Sequence, residues 1–96
     1  MLVVVTYDVN TADLRGAKRL RKVAKLCEKY GIRVQNSVFE ILVDAAQLAI
    51  LKDLLEQAID MEADSVRFYR LGNAWDQKIE VIGKTPLVQT GQPLIL

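Results

Sequence analysis

Ile32-Arg33-Val34-Gln35-Asn36-Ser37-Val38-Phe39-Glu40-Ile41-Leu42-Val43 is rich in β-branched and aromatic residues and reads as β-structure. It is long for a single strand. Asn36-Ser37 at its centre is a tight turn or bulge signal that divides the run in two. Upstream, Leu2-Val3-Val4-Val5-Thr6-Tyr7-Asp8-Val9 reads as a strand over roughly 2–9. A helix follows it to about Tyr30, with Asn10 or Thr11 as the expected cap, Asp13 in the first turn and Gly31 as the C′ residue. Downstream, Asp44-Ala45-Ala46 opens a second helix to about Met61, whose buried face is Leu48, Leu51, Leu54 or Leu55, Ala58 and Ile59. Ser65 to Leu71 is a strand with Val66, Phe68 and Leu71 towards the core and Arg67 and Tyr69 opposite, ended by Gly72-Asn73. Lys78-Ile79-Glu80-Val81-Ile82 is a plausible last strand.

Splitting the central run therefore gives strand, helix, two strands, helix, strand, and one strand more. That order is α+β, a ferredoxin-like βαββαβ sandwich with an antiparallel sheet, two helices on one face and an extra C-terminal strand. Ninety-six residues make one domain, here 1–85, with a tail over 86–96 that ends in apolar Leu94-Ile95-Leu96. An apolar terminus docks against a partner chain or against its own body. A chain this short also gains from an oligomer interface.

Composition narrows the chemistry. Hydrophobic residues are 51% of the chain, enough for a core. The net charge is +1, but its distribution is uneven. Residues 1–40 hold eight Lys/Arg against four Asp/Glu, and residues 41–64 hold one against six. Such asymmetry points to polyanion contact through the basic segment. The absence of histidine excludes His-based acid–base chemistry, the Ser-His-Asp arrangement and the usual zinc sites. A single cysteine, Cys27, excludes an internal disulfide and falls on an apolar helix face, where it reads as a buried, inert thiol. Neither a signal peptide nor a membrane span is visible, so a cytoplasmic protein with no membrane partner is expected.

Two features carry functional chemistry. Asp8 stands at the carboxyl end of the first strand, where α/β proteins place binding chemistry. Its carboxylate is a hard ligand of the kind Mg²⁺ or Mn²⁺ prefers; a solvated strand end or a helix cap is the plainer reading. In the first helix, Leu14, Ala17, Leu20, Val23, Ala24, Cys27 and Tyr30 share one face, while Arg15, Lys18, Arg19, Lys22, Lys25 and Lys29 share another. An ordinary exposed face mixes signs, so this cationic stripe reads either as a solvated face or as a phosphate-binding surface.

Three segments at this order and spacing carry a resemblance. They are Val5-Thr6-Tyr7-Asp8-Val9; Lys22-Val23-Ala24-Lys25 followed by Tyr30 to Glu40; and Phe68-Tyr69-Arg70-Leu71. Together they resemble the CRISPR-associated protein two family, small proteins that accompany the CRISPR integrase during spacer capture. The resemblance covers about residues 1–85 and is most specific over Arg33 to Glu40. It implies a ferredoxin-like homodimer in which the C-terminal strand of one protomer extends the sheet of the other, which gives the tail a place on the partner. It also implies a metal-dependent endonuclease, acting on double-stranded DNA or RNA in spacer acquisition for antiviral defence. The family's metal-binding aspartate matches Asp8, which is thus the expected catalytic residue. The tyrosine before it matches Tyr7, two arginines match Arg15 and Arg33, and Ser37 and Phe39 match the Ser and Phe of the central string.

One carboxylate per chain is a poor Mg²⁺ site, and a two-fold axis joining Asp8 to its mate supplies the second. Arg15 and Arg33 are fork donors suited to phosphate, Lys18, Arg19 and Lys22 add charge, and Ser37 either bonds phosphate or shapes the turn. Phe39, Tyr7 and Tyr69 default to packing. Six phosphate contacts from the stripe predict a log–log salt slope of roughly −5 on duplex DNA. The alternative to catalysis is a non-catalytic dimeric scaffold that bridges integrase subunits and holds DNA by charge. A ferredoxin-like regulatory domain with a small ligand predicts a glycine-rich loop, which the sequence lacks.

Overall fold

The computed structural model describes residues 1–83; the tail expected over 86–96 lies outside them. The elements are β1 (Leu2–Asp8), α1 (Leu14–Glu28), β2 (Gly31–Gln35), β3 (Val38–Leu42), α2 (Ala45–Ala58) and β4 (Ser65–Gly72), followed by a 3₁₀ turn at Trp75–Gln77. Asn36-Ser37 divides the central run into the antiparallel hairpin β2–β3, in which Gln35 pairs with Val38. The sheet order is β2-β3-β1-β4, and every adjacent pair is antiparallel. This is the ferredoxin-like βαββαβ arrangement, with two crossovers that carry the helices.

Alternation along β1 separates two faces. Val3, Val5 and Tyr7, with Val9 beyond the strand, join Phe39, Ile41 and Val43 beneath Val23, Ala24, Leu26 and Cys27 of α1 and Leu48, Leu51, Leu55 and Ala58 of α2. Fully burying a Val, Leu, Ile or Phe side chain contributes about 1.5–3 kcal/mol, so this cluster supplies most of the driving force. Both helices lie on that face. Val4, Thr6 and Asp8 point to the other, which neither helix covers.

Some boundaries differ from expectation, each for a local reason. Asp13, expected within the first turn of α1, is its cap: the side chain accepts from Gly16 N at 2.9 Å. Asn10 instead closes a turn of its own, accepting from Ala12 N at 3.0 Å. Leu14 therefore falls at the first helical position and is 82% exposed, outside the buried stripe. Gly31 opens β2 and is no left-handed C′ residue; a Cβ there would meet the Glu40 carbonyl oxygen and stand 2.7 Å from Ile41 Cα. It is glycine because the strands of the hairpin approach so closely.

α2 opens as expected, with Asp44 and Gln47 in a reciprocal capping box, but it ends at Ala58 and not near Met61, with Ile59 as its C-cap. Leu55 is buried, whereas Leu54 is exposed. In β4, Val66 and Phe68 pack on the core. The register shifts between Leu2 and Val3, so Arg70 pairs with Val3 and Leu71 becomes the extra residue of a bulge. The extra strand expected over 78–82 does not form among the described residues. Lys78 closes the 3₁₀ turn, its ammonium donates to the Leu71 carbonyl, and Val81 and Ile82 stand exposed.

Candidate metal and nucleic-acid site

Asp8 is the last residue of β1 and lies exposed on the uncovered sheet face, opposite Ser65 of β4. An open depression of about 250 Å³ surrounds it, lined by Thr6, Tyr7, Ser65, Arg67 and Tyr69. The neighbour Tyr7 points the other way and anchors the strand end. Its ring stacks on Phe39 at 6.1 Å between centroids, and its hydroxyl donates to the Asn36 carbonyl at 3.3 Å. Burial pushes its pKa up, so the phenol stays protonated, and Tyr7 and Phe39 are packing residues.

A second anchor holds the chain just beyond Asp8. The Asp64 carboxylate is fully enclosed and accepts from Asn10 N at 2.9 Å, Asp60 N at 2.9 Å and Arg19 Nε at 2.7 Å. The guanidinium of Arg19 also donates to the Asn10 carbonyl at 3.3 Å. The Arg19 bond holds the Asp64 carboxyl below its ordinary range, with the two backbone donors adding to it. This clamp ties the β1–α1 connection to the α2–β4 connection on either side of the Asp8–Ser65 pair. Gly16 makes the arrangement possible, since a Cβ there would strike the Asn10 carbonyl and lie 2.9 Å from Thr11 Cα.

The expected phosphate-binding residues are dispersed. Lys18 and Lys22 are exposed on α1 with Lys25 and Lys29, continuing the stripe. Arg15 is exposed beside Asp13, 3.9 Å away, and lines a separate cleft with Asn10 and Asp60. Arg19, counted in the stripe from its spacing, is occupied by Asp64. Arg33 pairs with Phe39, lies over its ring at 5.3 Å and contacts Glu28 at 3.4 Å. It is therefore on the helix side of the sheet and two strands from β1, so one protomer does not bring Arg33 to Asp8. Ser37 is a turn residue whose carbonyl accepts from Tyr7 N at 3.1 Å. Cys27 is buried, its thiol pushed up to about 11 by desolvation, in keeping with an inert role.

Around Asp8 the donors are hard oxygens: its own carboxylate and the hydroxyls of Thr6, Ser65 and Tyr69. That donor set suits Mg²⁺ or Mn²⁺ and not a soft metal. Among the described residues no three Asp, Glu, Cys or His side chains converge on one point, so the chain by itself offers one carboxylate. The residues that the sequence did not single out are Ser65 and Arg67. The signal was available in the alternation of β4, but it needed the β1–β4 register to give it meaning.

Comparison with known proteins agrees with this fold. The family described as "CRISPR associated protein Cas2" matches residues 1–79. A curated relative from Halalkalibacterium halodurans, "CRISPR-associated endonuclease Cas2", is 57% identical over 95 residues, covering 99% of each chain. "CRISPR-associated endoribonuclease Cas2 3" of Rhodospirillum rubrum is 50% identical, covering 99% of this chain and 100% of the relative. The crystal structure of Streptococcus pyogenes Cas2 superposes with a TM-score of 0.77 at 55% identity, covering 86% of this chain and 100% of that one. The chain belongs to the CRISPR-associated protein Cas2 family.

Proposed function

We propose that the chain is a CRISPR-associated, metal-dependent endonuclease that hydrolyses phosphodiester bonds of double-stranded DNA or RNA during spacer acquisition. The observation that carries this reading is the placement of Asp8: an exposed carboxylate, anchored by Tyr7 on one side and the Asp64 clamp on the other, on a sheet face that neither helix covers. A homodimer that brings two such faces together supplies the second carboxylate for Mg²⁺ or Mn²⁺. Half-buried Val4, Val38 and Leu42 give that face an apolar surface to cover. Exposed Val81 and Ile82 support a C-terminal segment that adds to the partner's sheet at the open edge of β4. A divalent cation held by the Asp8 pair would polarise the phosphoryl group and acidify water near neutral pH. Asp8 orients that charge, and the α1 cations hold flanking phosphates without regard to base sequence.

The relatives' names favour hydrolysis over a purely non-catalytic scaffold, and they divide between endonuclease and endoribonuclease. An integrase subunit of the same system is the implied protein partner, and the cytoplasm the implied place of action. No helix among the described residues is long and apolar enough to cross a membrane. The deciding experiment incubates wild type and Asp8→Asn with duplex DNA and with RNA in Mg²⁺, Mn²⁺ or EDTA. Cleavage that needs metal and disappears in the variant is expected. Cleavage untouched by EDTA and by Asp8→Asn rejects the assignment, and binding without cleavage leaves the scaffold.

A further inference from the structure

Four arginines compete for the phosphate that would sit beside Asp8. Arg15 lines a different cleft, Arg19 is held by Asp64, and Arg33 lies over Phe39 on the far side of the sheet. Arg67 differs from all three. It pairs with Thr6 across the β1–β4 ladder, one pleat from the Asp8–Ser65 pair and on the same face. Diagonal neighbours of this kind are about 7–8 Å apart, within reach of a long side chain. Arg67 lines the Asp8 depression, is exposed, and makes no ion pair among the described residues.

We propose that Arg67, flanked by Tyr69, is the phosphodiester-binding residue of the Asp8 depression. The class of ligand is a nucleic-acid phosphate oxygen, which a guanidinium fork takes in bidentate fashion. Tyr69 stands two residues along the same face and lines the same depression, and its phenol beside the guanidinium raises the Arg67 pKa. Ser65 completes the row with a neutral hydroxyl, so the β4 edge of the depression is cationic and hydrogen-bonding while its β1 edge carries the carboxylate. A backbone phosphate fits between the two: one oxygen towards a cation on Asp8, another on Arg67. This assignment rests on the Asp8 reading for its catalytic meaning, but its binding consequence stands without metal.

The test therefore reads binding and cleavage separately, on the full chain. Fluorescence anisotropy with a labelled DNA duplex and a labelled RNA strand, in EDTA, compares wild type, Arg67→Gln, Arg67→Lys and Asp8→Asn. Losing a charge-assisted bond predicts about ten-fold weaker binding for Arg67→Gln. The log–log salt slope should shrink by about 0.9 for each Arg67 engaged. Arg67→Lys keeps the charge and should recover the slope but only part of the affinity. Asp8→Asn removes a carboxylate that repels phosphate when no metal is present, so in EDTA it should bind more tightly than wild type, opposite in sign to Arg67→Gln, while cleavage in metal is lost. Wild-type affinity and slope in Arg67→Gln overturn the proposal, whatever Asp8→Asn does. So does a loss of binding that tracks loss of the oligomer in light scattering, since Arg67 would then be an interface residue. Continued cleavage by Asp8→Asn would sink the metal reading and leave the Arg67 result to stand on its binding data.

Discussion

Gly16→Ala sets two well-known effects against each other. In the interior of a helix, alanine is favoured over glycine by about 1 kcal/mol, so propensity alone expects a more stable protein. The added methyl, however, would collide with the Asn10 carbonyl oxygen and lie 2.9 Å from both the Asn10 carbonyl carbon and Thr11 Cα. All three atoms are backbone and cannot rotate away. They are also fixed from the other side, because Asn10 N donates to Asp64 at 2.9 Å and the Asn10 carbonyl accepts from Arg19 at 3.3 Å. Overpacking costs typically about 1–3 kcal/mol, and an unyielding neighbour places this case in the upper half of that range. The net expectation is destabilisation by about 1–2 kcal/mol after the propensity gain is subtracted. Urea unfolding at fixed protomer concentration reads it: the midpoint should fall by about 1 M with the slope unchanged. A Gly16→Ala protein as stable as wild type, or more so, would refute the reasoning and show that the β1–α1 connection moves without cost.

Two further predictions concern charge. With Arg19 occupied, five cations remain in the stripe, Arg15, Lys18, Lys22 and Lys25 on α1 and Lys29 at its C-cap; full engagement of one protomer's stripe gives a duplex-DNA salt slope of about −4.5. Titration of affinity against NaCl should show Lys22→Gln reducing that slope by about 0.9 while Arg19→Gln leaves it unchanged. The folded state holds the Asp64 carboxyl below its ordinary value, chiefly through Arg19. Its contribution is thus complete above the unfolded carboxylate range and lost as pH falls through the depressed folded value. Stability measured from pH 7 down to pH 3 should drop less steeply in Asp64→Asn than in wild type, from a lower starting point.

The division of the central run was legible because the pattern and the turn residues agreed: apolar alternation on both sides of Asn36-Ser37 leaves no other register that buries Phe39 and Ile41. The two helices were legible for the same reason, and Asp44 marked the place where α2 opens. The misread positions share a cause. Leu14 and Leu71 are apolar residues that a bulge or a helix boundary displaces by one place, and period counting has no access to a one-residue offset. Arg19 shows the limit for function. Its spacing placed it in the cationic stripe, and only the fold brings Asp64, forty-five residues away, to its guanidinium. Asp8 could be singled out from its position at a strand end; that Arg33 is remote from it and Arg67 adjacent follows from sheet order, which a single sequence does not print.

The contrast between Arg19 and Arg67 also bears on how this small domain separates structure from function. One arginine meets an enclosed carboxylate that already accepts two backbone donors, so its charge is compensated inside the fold and unavailable to a polyanion. The other stands on an open sheet face with a tyrosine beside it and no carboxylate partner among the described residues. An uncompensated cation and an uncompensated carboxylate, Asp8, on neighbouring strands would ordinarily be expected to pair. Each instead faces a common depression; in the proposed site Asp8 would hold a divalent cation and Arg67 a phosphate, so that ligands and not each other would compensate the two charges. The same depression built with the two side chains in direct contact would neutralise itself and bind neither.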